Sequence, residues 1–330
     1  MPVVHTLALS SHTWPCFSSV NGIIMVVMDS LQENIHLQPD QSFRLLRWDH
    51  SVRRAEAILA PNRSVPVQGH GDHWHYHRAT ELTLVQRGTG TRFVADHIEL
   101  FDAPDLVLIG ANVPHYLHLR GISAGLSIQW NFPLEHGIWN FGETAPLRVL
   151  TESARRGLLI RGRTADLTRR RMEEMTALRG FARLAVFLGI LADLVAAPAH
   201  EMSPLATAPF SLSGTAAHQE AIRRTVSYIV ASYREPVGLP ELLRLAGMSR
   251  ATFARQFRKH TGKSFLSFLN QVRLQAVCRV LRESNESVSE IALDHGFNHL
   301  SYFNRLFRRE FGVNPTSYRQ SQETRDASRS

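Results

Sequence analysis

The residues best suited to chemistry lie in one short segment, GHGDHWHYHRATELTLVQRG, at residues 69–88. Four histidines and one glutamate of this segment could act together. They are His70, His73, His75, His77 and Glu81. Imidazole and carboxylate groups bind divalent iron, manganese, nickel and zinc, so a metal site is one chemical possibility. A pocket that hydrogen-bonds a polar small molecule is a second.

The spacing within the segment predicts how the side chains divide between two faces. Successive side chains of a β-strand point to opposite faces. A strand over residues 72–77 therefore separates two sets of side chains. The histidine set is His73, His75 and His77, and the aromatic set is Trp74 and Tyr76. Glu81 has the parity of the histidines, so we expect it on their face.

Alternating runs between Gly, Pro and Asp turn signals predict a β-rich domain over residues 41–132. The clearest runs are Glu81–Val85, Thr91–Ala95 and Leu106–Ile109. Helical patterns follow over 133–195, and the Ala-, Ser- and Pro-rich stretch 196–217 is typical of a linker. Helical patterns then resume over 218–320.

Both ends of the chain have weaker patterns. Residues 1–40 show little periodicity and are expected to be a partly disordered extension, with Met28 as an alternative first residue. This extension lacks the basic n-region of a signal peptide, because the first Lys or Arg is Arg44. The polar tail, 321–330, is expected to be disordered.

The composition is that of an ordinary soluble protein, at 44% hydrophobic and 20% charged residues. No apolar run reaches the length of about 18 residues that a membrane span requires. The two cysteines, Cys16 and Cys278, are too few and too far apart for a disulfide framework. We therefore expect a cytoplasmic protein.

The net charge of +8 is concentrated at one end of the chain. Residues 218–330 contain 18 Lys and Arg against 10 Asp and Glu, whereas the preceding residues contain 19 of each sign. This asymmetry indicates a polyanionic partner, and a solvated basic face is the alternative.

An internal repeat occupies the basic region. FARQFRKHTG at 253–262 recurs as FNRLFRREFG at 303–312, and LPELLRLAGM at 239–248 pairs with VSEIALDHGF at 288–297. Each copy reads as a short helix, a tight turn and a second helix. The sequence therefore predicts two helix-turn-helix units, at 239–260 and 287–310.

Capping residues support these boundaries. The predicted helix ends are Gly247 and Gly296, the predicted N-caps are Ser249 and Asn298, and a capping box joins Ser287 to Glu290. Between the units, 264–281 reads as one amphipathic helix. A rigid helix there could hold the two second helices about 34 Å apart, one turn of DNA.

Each second helix has two faces. Aromatic residues four apart form the buried face, and they are Phe253, Phe257, Phe303 and Phe307. The other face carries candidate DNA contacts. In the first unit these are Arg250, Ala251, Ala254, Arg255 and Arg258, and in the second they are His299, Leu300, Ser301, Asn304, Arg305 and Arg308. An Arg can bind guanine through both fork nitrogens, or bind phosphate.

Residues 218–320 resemble the DNA-binding domain of the AraC/XylS family of bacterial transcription regulators, including the stretch IALDHGFNHLSYFNRLFRREFGVNPTSYR. By position, the resemblance assigns base reading to Ala251, Ala254, Arg255, Leu300, Ser301 and Arg305. It implies promoter DNA and RNA polymerase as partners. It also implies a homodimer, with dimer contacts from 133–195.

The histidine segment resembles the first motif of cupin barrels, as Gly69-x5-His75-x-His77-x3-Glu81-x6-Gly88. His115 falls where the second cupin motif supplies its histidine. That second motif is degenerate, since Ile109 stands where proline is usual. The resemblance implies an α+β multidomain chain, with a cupin-like β-barrel plus helices followed by an all-α double helix-turn-helix domain.

Three interpretations of the quartet His75, His77, Glu81 and His115 stay open. The quartet could bind a sugar or similar polar effector, hold a divalent metal, or consist of buried histidines without a ligand. We expect His70 and His73 to lie at the rim. The leading functional interpretation is an effector-responsive transcription factor that is not an enzyme. The rival is a metal-dependent cupin enzyme, an oxygenase or isomerase, fused to a DNA-binding module.

Overall fold

The computed structural model describes residues 19–20, 23–24, 33, 35, 41–67, 71, 73–210 and 216–327. The chain divides into two compact units, Met1–Ser30 and Leu31–Ser330. Within the first unit, β1 (Ser19–Val20) pairs antiparallel with β2 (Ile23–Ile24). The rest of the predicted N-terminal extension, except Glu33 and Ile35, lies outside the described residues, as does His70.

The second unit begins with one antiparallel sheet of nine strands. The strands are β3 (Phe43–His50), β4 (Glu56–Ala60), β5 (Arg63–Pro66), β6 (Thr80–Val94), β7 (His97–Asp102), β8 (Asp105–Ile109), β9 (His115–Trp130), β10 (Leu158–Ile160) and β11 (Met202–Pro204). They pair in the order β11-β10-β8-β6-β9-β3-β4-β5, and β7 pairs with the second half of β6. Because this pairing does not close on itself, the predicted barrel is not confirmed.

Two long strands hold the sheet together, and their length differs from the sequence prediction. The runs Glu81–Val85 and Thr91–Ala95 were expected as separate strands, but β6 is a single strand of 15 residues. Gly88 is one of the glycines between these two runs, and it lies inside β6 with φ +113°. The pairing of β6 with β9 is irregular there, which lets the strand bend without ending.

Three helices cover one face of the sheet. They are α1 (Ala145–Ser153), α2 (Gly162–Met175) and α3 (Gly180–Val195). Phe187 and Ile190 of α3 are fully buried in one core with Leu82 and Ile128 of the sheet. The predicted helical layer therefore packs on the β domain. The sheet also extends past the predicted boundary at 132, since β10 and β11 join it from the helical layer and the predicted linker.

Seven helices form the C-terminal region. They are α4 (Ala216–Ser232), α5 (Leu239–Ala246), α6 (Arg250–Thr261), α7 (Phe265–Glu283), α8 (Val288–Asp294), α9 (Leu300–Phe311) and α10 (Pro315–Ala327). Helices α5 and α6 form the first predicted helix-turn-helix unit, and α8 and α9 form the second. Helix α7 joins the units over 19 residues. Helix α10 continues through 321–327, where the sequence predicted a disordered tail.

The predicted N-caps act as expected with one exception, and of the two predicted helix ends Gly296 lies one residue beyond the C-cap of α8, which is His295. Gly247 ends α5 in the left-handed region with φ +63°, and the Ser249 side chain accepts from the backbone N–H of Thr252 at 3.3 Å. Both bonds of the Ser287–Glu290 capping box are present. The exception is α9, whose N-cap is His299 instead of the predicted Asn298 and makes no side-chain capping bond.

Among the described residues, no helix combines the length and the apolarity that crossing a lipid bilayer would require.

The capping box gives a stability prediction. Replacing Ser287 with Ala removes the oxygen that accepts from the Glu290 N–H, so the free energy of unfolding should fall by about 1 kcal/mol. Chemical denaturation of the full chain measures this change. The control is Ser301→Ala, in the exposed first turn of α9. Equal effects of the two substitutions would show that the box contributes nothing of its own.

Candidate functional site

The histidine quartet is brought together by strand pairing. His75 forms a bridge with His115 at the start of β9, with backbone N···O distances of 3.0 and 2.8 Å. The backbone carbonyl of His77 accepts from the Asn112 N–H at 2.7 Å. Glu81 enters from the start of β6. All four predicted side chains are buried, each with at most 4% of its surface exposed.

Backbone carbonyls orient the three imidazole rings in the same way. Each Nδ1 lies within hydrogen-bond distance of a carbonyl oxygen close in sequence. The pairs are His75 with His73 at 2.8 Å, His77 with Ala79 at 2.9 Å, and His115 with Val113 at 2.8 Å. Because a carbonyl only accepts, each Nδ1 carries the hydrogen. In a neutral ring, Nε2 then keeps a lone pair, the arrangement that metal-binding histidines use.

The three rings converge on one point. One ligand atom from each of His75, His77 and His115 lies within 4.8 Å of the others. The Nε2 atoms of His75 and His115 are buried and have no hydrogen-bond partner. Burial lowers the pKa of His75 well below 6.5 and lowers the pKa of His115 to about 4. The Nε2 lone pairs of His75 and His115 therefore lack a hydrogen-bond donor. A cation bound by both Nε2 atoms would satisfy them.

Glu81 supplies the negative charge of the cluster. Its Oε2 lies 3.0 Å from His77 Nε2 and 3.9 Å from His115 Nε2. A neutral His77 cannot donate to both Ala79 and Glu81, since the neutral ring has one N–H. A cation between His77 Nε2 and Glu81 Oε2 would satisfy both atoms. The donor set of imidazole and carboxylate fits divalent manganese, iron, nickel or zinc.

A second layer holds Glu81 in place. Gln129 of β9 donates through Nε2 to Glu81 Oε2 at 2.6 Å, and the Thr83 hydroxyl donates to Glu81 Oε1. Arg44 of β3 donates to Gln129 Oε1 through Nε at 2.9 Å and Nη2 at 2.5 Å. This chain of bonds fixes the carboxylate, as second-layer bonds do in metal sites.

Glu33 adds a second carboxylate beside the cluster. Its Oε2 lies 3.3 Å from His75 Nε2 and its Oε1 lies 3.6 Å from Arg44 Nη2. Its N–H donates to the Tyr76 carbonyl at 2.9 Å. Among the described residues, the cluster therefore has two carboxylates, Glu33 and Glu81, and one guanidinium, Arg44, beside its imidazoles.

Sequence reasoning missed four members of this site: Glu33, Arg44, Thr83 and Gln129. A signal existed for two of them, because Thr83 and Gln129 are polar residues within apolar strand runs, next to the core residues Leu82 and Ile128. Strand register brings Glu81 and Arg44 against Gln129 from its two sides, and register cannot be read from the sequence. His73 contributes its carbonyl, with its ring centroid 5.5 Å from that of His75. It is not one of the three converging histidines.

The aromatic face of the same segment contacts the C-terminal region. Trp74 and Tyr76 are buried in one core cluster with residues of α4, α6 and α7. The Trp74 ring lies edge-on to Phe268 of α7, with centroids 6.2 Å apart. The Tyr76 hydroxyl donates to Gln219 Oε1 of α4 at 2.5 Å. The predicted two-faced alternation is therefore present at 74–77, with histidines toward the cluster and aromatics toward the helices. Within the described residues 73–77, isolated bridges take the place of the predicted strand.

Helix α7 also docks on the edge strand β7. Gln275 donates through Nε2 to the Ile98 carbonyl at 3.0 Å and accepts from the Leu100 N–H at 3.1 Å. Its side-chain amide thus pairs with the strand edge as a neighbouring strand would. Arg279 of α7 adds a bond of 2.6 Å from Nη2 to the Thr91 hydroxyl. The helix that joins the two helix-turn-helix units is thus bonded to the sheet.

The predicted DNA-contacting residues form exposed faces on α6 and α9. Every one of them is exposed. They are Arg250, Ala251, Ala254, Arg255, Arg258, His299, Leu300, Ser301, Asn304, Arg305 and Arg308. The aromatic residues of the opposite faces are buried. Phe253 and Phe257 lie 5.4 Å apart, and Phe303 and Phe307 lie 5.6 Å apart, between ring centroids.

One predicted base-reading side chain, Arg305, packs on an aromatic ring of its own helix. The Arg305 guanidinium lies over the Tyr302 ring, 5.5 Å from its centroid. The Tyr302 hydroxyl accepts from Asn270 Nδ2 of α7 at 2.9 Å. A cation over an aromatic face is held by the ring quadrupole. This contact links Arg305 to the helix between the units.

A family model matches part of the C-terminal region. Residues 242–321 match the family described as "Helix-turn-helix domain". An uncharacterized HTH-type transcriptional regulator of Haemophilus influenzae is 35% identical over 102 residues, 30% of this chain and 34% of that protein. The HTH-type transcriptional activator RhaS of Escherichia fergusonii is 35% identical over 107 residues, 32% of this chain and 37% of that protein.

Among solved structures, the DNA-binding domain of AdpA in complex with a target DNA is 32% identical. The match covers 32% of this chain and 95% of that chain, with a TM-score of 0.31. The chain spans about a third of the length of the two curated relatives that it matches.

Proposed function

We propose that this chain is a regulator of transcription. In this proposal its residues 242–321 form an AraC-type helix-turn-helix domain that binds promoter DNA, and the protein responds to a ligand at the histidine cluster. The observation that carries the DNA-binding part is the matched pair α6 and α9. Each buries two phenylalanines and exposes a basic face. The excess positive charge of the C-terminal region supports the same partner.

The exposed faces divide into two kinds of contact. Arg255 and Arg305 occupy matching positions in the two helices, where a side chain that enters the major groove can bind guanine through both fork nitrogens. Arg258 and Arg308 lie one turn later and are suited to phosphate. The small side chains of Ala251 and Ala254 fit contacts with thymine methyl groups.

The base-reading role gives the first test of function. Replacing Arg305 with Ala should weaken binding at a specific site by about 1–3 kcal/mol and relax base preference there. Selection of binding sites from a random duplex library, followed by affinity measurements, reads both effects. The control is Arg309→Ala, which removes the same charge at an exposed position of the same helix. Unchanged base preference in the Arg305 variant would remove Arg305 from this role.

For the cluster, the three converging imidazoles and Glu81 favour a divalent metal over a pocket that only hydrogen-bonds. Each Nδ1 is already used on a carbonyl, so the rings offer acceptors and no further donors to a sugar-like effector. When bound, a metal would act as a Lewis acid that polarises an oxygen of a small polar effector. His75, His77, His115 and Glu81 would hold the ion, while Gln129 orients the carboxylate.

Metal analysis tests this assignment. The purified full chain should retain about one divalent ion after dialysis, and His115→Gln should lose it because Gln offers no imidazole nitrogen. Elemental analysis by mass spectrometry measures the stoichiometry. His50→Gln, at an exposed histidine of β3, is the matched control. If the native chain takes up no manganese, iron, nickel or zinc, the cluster is a hydrogen-bonded pocket or a structural core.

A metal-dependent enzyme fused to a DNA-binding module would use the same ligands. The docking of the sheet on α7 favours regulation, because the segment that carries the ligands also carries Trp74 and Tyr76, which contact the helical region. A change of His75 or His77 on ligand binding would reach α7 and α6 through this segment. We propose that the chain works as a cytoplasmic homodimer, through 133–195, and acts with RNA polymerase.

The interface gives a test of regulation. Removing the Gln275 amide should uncouple the sheet from α7, since this amide makes two bonds to the edge strand. In the native chain, adding the metal should change DNA affinity by about 5–150-fold, the range of a coupling of 1–3 kcal/mol. In Gln275→Ala this ratio should approach one.

The ratio is measured by titrating labelled duplex DNA with metal-loaded and chelator-treated protein. Ser267→Ala, an exposed position on the same helix, should keep the native ratio. A Gln275 variant that also keeps the native ratio would exclude this contact from the regulatory path.

A further inference from the structure

A second candidate site lies where α3 begins, beside β3 and β4. A cavity of about 290 Å³ lies between the first turn of α3 and the strands β3 and β4. Its apolar walls include Phe43, Leu45, Ile58, Phe181 and Leu184. This volume is near the lower end of the range for small-molecule pockets.

The cavity contains a buried arginine that lacks acceptors. Arg183 lines it and is only 7% exposed. Its Nη1 donates to the carbonyls of Ile58 at 2.7 Å and Leu59 at 3.2 Å, two residues that also line the cavity. Its Nε and Nη2 atoms are buried without a hydrogen-bond partner. A buried donor without an acceptor, especially on a charged group, is costly unless something supplies one.

The surroundings supply no compensating charge. No acidic residue is among those that line the cavity, and no ion pair of Arg183 exists within the described part of the chain. Burial alone lowers the pKa of Arg183. The N-terminus of α3 adds further positive potential, because its N-cap, Arg179, makes no side-chain bond and its first turn has no acidic residue.

We infer that this cavity binds a small monocarboxylate with a compact apolar body. Nε and Nη2 form one edge of the guanidinium, and two parallel N–H donors match the two oxygens of a carboxylate. The apolar walls suit an aliphatic or aromatic ring better than a second charge. Arg44 lines this cavity and also bonds Gln129 at the histidine cluster, but the proposed carboxylate contact is made by Arg183 and does not require a metal.

Calorimetric titration of the full chain with benzoate and with hexanoate tests the inference. Saturable binding at one site per chain is expected, and benzyl alcohol, which lacks the carboxylate, should bind at least tenfold more weakly. Arg183→Gln should weaken benzoate binding by about tenfold or more, as expected for a lost hydrogen bond to a charged group. Arg179→Gln removes an equal charge beside the cavity and should leave binding within about twofold of the native chain.

A second variant keeps the test valid if Arg183→Gln unfolds the protein. Ser42 lines the cavity and is exposed, so Ser42→Trp should block entry without altering the core. Loss of benzoate binding in Ser42→Trp supports the site. Absence of saturable carboxylate binding in the native chain, or binding that survives both substitutions, overturns it.

Discussion

The alternation of side chains along one short extended segment is the constraint on which the rest of this molecule depends. Odd positions 75 and 77 face inward and supply two imidazoles to a buried cluster. Even positions 74 and 76 face outward and supply two aromatic rings to the core shared with the helices. The histidine cluster and the core shared with the helices therefore draw on four consecutive residues, 74–77.

The path from this segment to a recognition helix consists of aromatic contacts. Trp74 meets Phe268, Phe268 lies 5.7 Å from Phe257, and Phe257 packs beside Phe253 inside α6. Close packing of this kind leaves little free volume between the rings. Gln275 holds the same helix against the edge of β7. Helix α7 therefore contacts the sheet, the first unit and, through Asn270, the second unit.

The histidine cluster and Arg183 both contain buried polar atoms without a hydrogen-bond partner. The atoms are acceptors at the cluster and donors at Arg183. At the cluster, the buried Nε2 atoms of His75 and His115 have no hydrogen-bond donor among the described residues. At the start of α3, a buried guanidinium lacks a negative partner. Buried polar groups are nearly always satisfied, so each imbalance points to a ligand of the missing charge. The cation and the carboxylate proposed here follow from this single rule.

The sequence by itself determined the local features. The offset repeat located both helix-turn-helix units, Gly247, Ser249 and Ser287 marked helix ends, and strand parity separated the histidines from the aromatics. These features depend on neighbours within a few residues, which is why period and capping chemistry reveal them. The prediction for the N-cap of α9 was wrong by one residue. The polar residues Asn298 and His299 are adjacent there, and the structure has His299 as the N-cap.

Tertiary structure alone decided which distant residues meet. The bending of β6 across Gly88, the open sheet and the addition of β10 and β11 all depend on pairing between strands far apart in sequence. Register brought Gln129 and Arg44 to Glu81, and helix packing buried Arg183 without an acid. Such contacts are selected by how complete elements fit together. No local pattern records them, so the second layer of the cluster, the docked helix α7 and the Arg183 cavity became visible only in the folded chain.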